Sequence, residues 1–98
     1  MREKYEGMDV VYNFVMNNKH RIDKLTISIG EEDMCVPSEY NVNVNIWFTA
    51  CWGEDFESFT PYIYDTFADA ERFAKKLPKR IYEETGYSDS KYEGLENC

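Results

Sequence analysis

Between Lys24 and Arg72 the chain has no lysine and no arginine, although it has eleven in all. The same stretch carries ten acids: Glu31, Glu32, Asp33, Glu39, Glu54, Asp55, Glu57, Asp65, Asp69 and Glu71. The net charge is -8, and what lies outside the base-free stretch is slightly positive, with nine acids against eleven bases. A solvated domain ordinarily intersperses its charges, because a single-sign field opposes compaction and repels like-charged partners. Half of this sequence is anionic by construction. That composition opposes direct nucleic-acid binding and favours a partner that is itself basic.

Other absences narrow the reading further. Histidine occurs once, as His20, within the turn-like run Asn17-Asn18-Lys19-His20, where a lone histidine is expected to be solvated rather than catalytic. No serine lies in a nucleophile elbow, and there is no HExxH or Walker-type loop. Cysteine is sparse and odd in number: Cys35, Cys51 and Cys98 show no CxxC or zinc-like spacing. Reduced thiols in a cytoplasmic compartment are expected, and the acids beside Cys35 disfavour its thiolate. Glu54, Asp55 and Glu57 match no EF-hand loop. These absences lead us to expect a non-enzymatic protein with no catalytic residue, metal or cofactor. The longest uncharged run, Tyr40–Gly53, contains three asparagines and falls short of the roughly 20 apolar residues that cross a bilayer. The start, Met1-Arg2-Glu3-Lys4-Tyr5-Glu6, has no apolar segment behind its basic residues, so no signal peptide is expected.

What is present points to a folded domain. With 43% hydrophobic and 16% aromatic residues over 98 positions, the chain is too apolar for disorder. Its length suits one domain that hides roughly 60–65% of the unfolded surface, here residues 1–86. Val42, Val44, Ile46, Phe48, Ala50 and Trp52 alternate with Asn41, Asn43, Asn45, Trp47, Thr49 and Cys51. This period of two predicts a long strand buried on one face. Gly53-Glu54-Asp55 reads as the turn into a second strand, Phe56–Tyr64, whose Pro61 argues for a sheet edge. Leu25, Ile27 and Ile29 alternate in a strand that ends at Gly30. Residues 9–16 fit two periods: Val10, Tyr12, Phe14 and Met16 on a strand, or Tyr5, Met8, Tyr12 and Val15 on a helix. Their β-branched and aromatic content favours the strand, with Asn17–His20 as its hairpin turn.

A helix is expected from Thr66, which can cap it, with Asp69 completing an approximate capping box. Its buried stripe is Phe67, Ala70, Ala74, Leu77 and Ile81. Pro78 should interrupt it and start a second short helix, Lys79–Thr85, closed by Gly86. Residues 87–98 are polar and aperiodic and are expected to be a mobile tail. The predicted fold is α+β: an antiparallel meander of three or four strands with a C-terminal helix on one face. The alternative is a helix at each end of a three-stranded sheet.

Two surfaces could serve a partner. Residues two apart on a strand lie roughly 6.6 Å apart on one face, comparable to successive phosphates on a nucleic-acid strand. Asp55 and Glu57 have that offset, and Glu31 and Asp33 would have it if extended. A basic groove built for nucleic acid would attract such a surface; solubility is the plainer role for the same acids. On the outer face of the long strand, asparagines flank Trp47, a mixture of adaptable polar and rigid aromatic groups found at protein-binding surfaces. Coverage of Trp47 by a terminus is the alternative. The expected partner-binding residues are therefore Glu31, Glu32, Asp33, Glu54, Asp55 and Glu57, with Trp47 and Tyr62 as hydrophobic anchors. Arg72, Lys75, Lys76, Lys79 and Arg80 form a basic cluster without a glycine-rich loop, read as a solvated helix face.

In size, charge and layout, though in no motif, the chain resembles the small acidic inhibitors that phages and other mobile elements make against nucleic-acid-handling enzymes, the anti-CRISPR and anti-restriction proteins. The resemblance implies an inhibitor that mimics nucleic acid and docks a basic groove on a partner protein, with no membrane association. The alternative is a structural or small-ligand interaction module, with a homodimer left open, whose acidity serves only solubility.

Overall fold

The computed structural model describes residues 7–32 and 39–96. Helix α1 (Gly7–Asn18) leads through a 3₁₀ turn (Lys19–Arg21) into strand β1 (Ile22–Glu32). Strands β2 (Glu39–Ala50) and β3 (Gly53–Tyr64) follow, then helix α2 (Phe67–Thr85) and a short strand β4 (Ser90–Leu95). The sheet order is β3-β2-β1-β4. The first three strands form the predicted antiparallel meander, and β4 joins parallel to β1. The fold is α+β, with a mixed four-stranded sheet and both helices contributing to its core. No helix among the described residues is long and apolar enough to cross a membrane.

One face of the sheet makes the core. Leu25, Ile27 and Ile29 of β1 lie opposite Ile46, Val44 and Val42 of β2, and all six are buried. Ala70, Ala74, Leu77 and Ile81 of α2 pack on them. The small alanines in this stripe let the helix backbone approach the sheet, while Leu77 and Ile81 fill the space further along. Thr66 caps α2 as expected, its hydroxyl accepting from the Asp69 amide at 3.2 Å. Gly86 ends it at φ 82°, a left-handed conformation that a side chain disfavours, and its N–H donates to the Tyr82 carbonyl at 2.8 Å.

Six local expectations are corrected. Residues 9–16 are helical, not a strand: Met8, Val11 and Val15 are the buried stripe. The β preference of Val, Tyr and Phe spans only about 1 kcal/mol. Burial outweighs it, because Phe14 sets its ring 5.1 Å from Phe48 and 5.3 Å from Phe59. The expected hairpin turn at Asn17–His20 is instead the helix end, where the Asn18 side chain donates to the Phe14 carbonyl at 2.8 Å. The β2–β3 turn falls at Cys51–Trp52 rather than Gly53–Asp55, since Ala50 pairs with Gly53. Gly53, at φ 121°, takes up the chain reversal. Trp52, expected on the apolar face, is consequently 73% exposed. Pro78 does not divide α2, which runs through it. Residues 90–95, read as part of a tail, form β4, and the Glu96 amide donates to the Ile29 carbonyl at 2.7 Å.

β3 is an edge strand, as Pro61 predicted. Val42 pairs with Tyr62 while Val44 pairs with Phe59, so one extra residue bulges opposite Asn43. The bulge accommodates the proline, whose missing N–H would interrupt a regular ladder. It also returns Tyr62 and Tyr64 to the helix side, where Tyr62 meets Phe73 of α2 edge-on at 4.8 Å.

Candidate protein-binding surface

The helix-free face of the sheet is built from the polar half of the alternation. Its centre is a hydrogen-bonded ladder across the strands. Asn45 donates to the hydroxyls of Thr26 at 3.3 Å and Ser28 at 3.0 Å and accepts from Ser58 at 2.9 Å. Asn43 accepts from Thr60 at 2.7 Å and donates to the Glu96 carboxylate at 3.2 Å, which also accepts from Ser28. The side-chain oxygens of Asn43 and Asn45 each accept from β3, and their amide groups donate toward β1 and the end of β4. Asparagine is a poor strand former, and this ladder is the physical reason for two of them here. Their amides are spent within the sheet.

At the hairpin end the same face turns aromatic. The Trp47 and Phe56 rings lie 4.9 Å apart between centroids, opposite each other in register. They remain 36% and 46% exposed. The Lys24 ammonium stands 4.8 Å from the centre of the Trp47 ring, within cation–π range. Four acids stand at this end of the sheet, two of them on the face of the rings. Asp23, in the β1 bulge, accepts from Thr49 at 2.9 Å. Glu54 lies opposite Thr49 on the open face, whereas Asp55 and Glu57 lie opposite Phe48 and Ile46 toward the helix side. Asp55 holds the hairpin together: one carboxylate oxygen accepts from the Trp52 indole at 2.9 Å, the other from the Phe56 amide at 2.8 Å. Charged residues and Pro61 on β3 also guard an exposed sheet edge against pairing with another chain.

No protein-family model, characterised protein or solved structure matches this chain. The reading of the surface therefore stands on its geometry.

Of the residues singled out from the sequence, Trp47 and Glu54 come together on the open face at the hairpin end, while Asp55 and Glu57 lie at the same end on the helix side. Glu31 and Glu32 do not. They pair with Tyr40 and Glu39 at the opposite end of β2, about 30 Å from Glu54 by strand rise. There the Glu31 carboxylate accepts from the Tyr40 hydroxyl at 3.4 Å. Asp33 lies outside the described residues. Tyr62 is on the helix side, against Phe73, and shares no face with Trp47. The sequence reading missed Phe56 as a partner of Trp47. The signal was there: with the turn at Cys51–Trp52, simple hairpin pairing sets residue 56 opposite residue 47. Among the described residues, no group of three or more His, Cys, Asp or Glu is arranged to hold a metal ion.

Proposed function

We propose that this chain is a small, acidic, non-enzymatic protein-binding domain that docks a basic partner surface through the hairpin end of its open sheet face. The observation that carries this reading is the Trp47–Phe56 pair, exposed on a sheet face and flanked there by Asp23 and Glu54, with Asp55 and Glu57 on the reverse side of the same hairpin. Rigid aromatic anchors surrounded by a charged rim are what a protein interface needs: the rings supply buried area, and the rim supplies orientation and association rate. The partner class that fits the acidic rim is a protein with a basic groove, such as a nucleic-acid-handling enzyme that an anti-CRISPR-like or anti-restriction-like inhibitor would block. Charge at one end, centred on aromatic rings, supports a compact docking site more than a continuous imitation of a phosphate row. Glu31 and Glu32, at the far end of the sheet, would extend the contact only toward a partner groove about 30 Å long.

Affinity capture from a lysate of the source cell or its host, after nuclease treatment, tests this reading. Wild type and the Trp47→Ala and Asp23→Lys/Glu54→Lys variants are compared side by side. A partner retained by the wild type should be lost with Trp47→Ala, because truncating a hot-spot aromatic costs about 2 kcal/mol or more, roughly 30-fold in affinity. Equal retention by all three proteins would sink the proposal.

A further inference from the structure

Helix α2 carries a second, oppositely charged surface that the docking site does not use. Arg72, Lys76, Lys79 and Arg80 are exposed along one side of it. They border two adjoining hollows of about 180 and 410 Å³, which share Lys76 and Arg80. One wall is aromatic. Tyr64 and Phe73 line the first hollow, their rings 5.8 Å apart between centroids, and the Arg80 guanidinium stands 5.8 Å from the Phe73 ring centre. Phe73 lies within the basic run itself. Tyr64 arrives from β3, which is why the run looked like a bare solvated face in sequence. Arg72 is tied to Asp69 at 2.8 Å, whereas Lys76 and Lys79 pair with no carboxylate among the described residues.

We propose that this groove is a binding site for a nucleoside di- or triphosphate, with the base against the Tyr64–Phe73 wall and the phosphates along Lys76, Lys79 and Arg80. Cations beside ring faces are the combination that recognises phosphorylated ligands with a planar base. Length decides against a polynucleotide. From residue 72 to residue 80 the helix rises about 12 Å, room for two or three phosphates, and Asp69 and Glu83 close the two ends. The net charge of -8 would repel a longer polyanion beyond that range. The larger hollow falls within the size range of small-molecule sites, about 300–1,000 Å³, and the smaller, aromatic-walled one extends it. This inference is independent of the proposed docking function, since the two surfaces share no residue.

The test is an amide chemical-shift titration at low salt with four probes: ATP, inorganic triphosphate, adenosine and a fifteen-nucleotide oligothymidylate. ATP should shift residues 64, 72, 73, 76 and 80 and bind at least about fivefold tighter than inorganic triphosphate, while adenosine produces no comparable shifts. Lys76→Glu and, independently, Arg80→Gln should each weaken ATP at least about tenfold without moving the thermal midpoint by more than a degree or two, because both side chains are exposed. Absence of shifts with ATP, equal binding of inorganic triphosphate, or tighter binding of the oligothymidylate would each overturn the proposal.

Discussion

Asn45 shows how much a single side chain can hold in this sheet. Its amide nitrogen donates to hydroxyls on β1 and its oxygen accepts from Ser58 on β3, so one residue stitches three strands. Thr26 and Ser28 beneath it are buried, and removing the amide strands their hydroxyls without that donor. Asn45→Ala should therefore destabilise the fold by about 1–3 kcal/mol, read as a lower urea midpoint at unchanged slope. Combining it with Ser58→Ala should give less than the sum of the two single changes, since both remove the same bond. Of the residues that make the candidate site, Trp47 and Glu54 were legible from alternation and charge, though not that Asp55 and Glu57 stand on the other face. Phe56 was not recognised, because its pairing with Trp47 depends on a turn placed two residues earlier than the Gly-Glu-Asp signal indicated. Tyr62 was misassigned for a related reason: the bulge at Pro61 changes the face on which later residues stand, and strict alternation has no means of registering an inserted residue.

Among the elements, those whose pattern is set by their own residues were legible, and those that depend on distant partners were not. β2 and α2 carry strong periods of two and 3.6, and most of their buried residues are the predicted ones; the exceptions are Phe67, which is only half-buried, Thr85, which is buried, and Trp52, which falls in the turn beyond β2. α1 offers both periods at once. Only the presence of Phe48 and Phe59, which its Phe14 contacts, decides for the helix. β4 has six residues, exposed at every second position, and exists because β1 offers a free parallel edge more than sixty residues earlier in the chain. Pro78 misled the reading because a proline usually interrupts a helix interior. Here the helix continues, anchored on either side by buried Leu77 and Ile81. That continuity has a measurable consequence. Replacing proline within a helix recovers about 3 kcal/mol of helix propensity, offset by about 1 kcal/mol of added unfolded-state entropy. Pro78→Ala should thus stabilise the protein by about 2 kcal/mol, seen as a rise in thermal midpoint; a fall would mean that the ring packs in a way alanine cannot replace.

On the scale of the whole molecule, the ten-acid stretch does not form one anionic surface. The sheet carries its acids to opposite ends of β2, leaves between them on the open face a hydrogen-bonded ladder that holds the Glu96 carboxylate, and sets a basic helix surface on the other side. The molecule is an electrostatic multipole rather than a uniform polyanion, and a partner would read it locally. That is why the aromatic hairpin end, where rings and acids coincide, is the centre of the proposed docking site. A contact of this kind has a defined response to ionic strength, because the rim acids act through screened fields while the rings act by burial. The most direct measurement is the dissociation constant for the captured partner from 50 to 300 mM salt, for the wild type and for Asp23→Lys/Glu54→Lys. The account predicts that wild-type affinity falls by about tenfold or more across that range, and that the variant binds weakly with a much flatter dependence. A wild-type affinity indifferent to salt, matched by the variant, would contradict it.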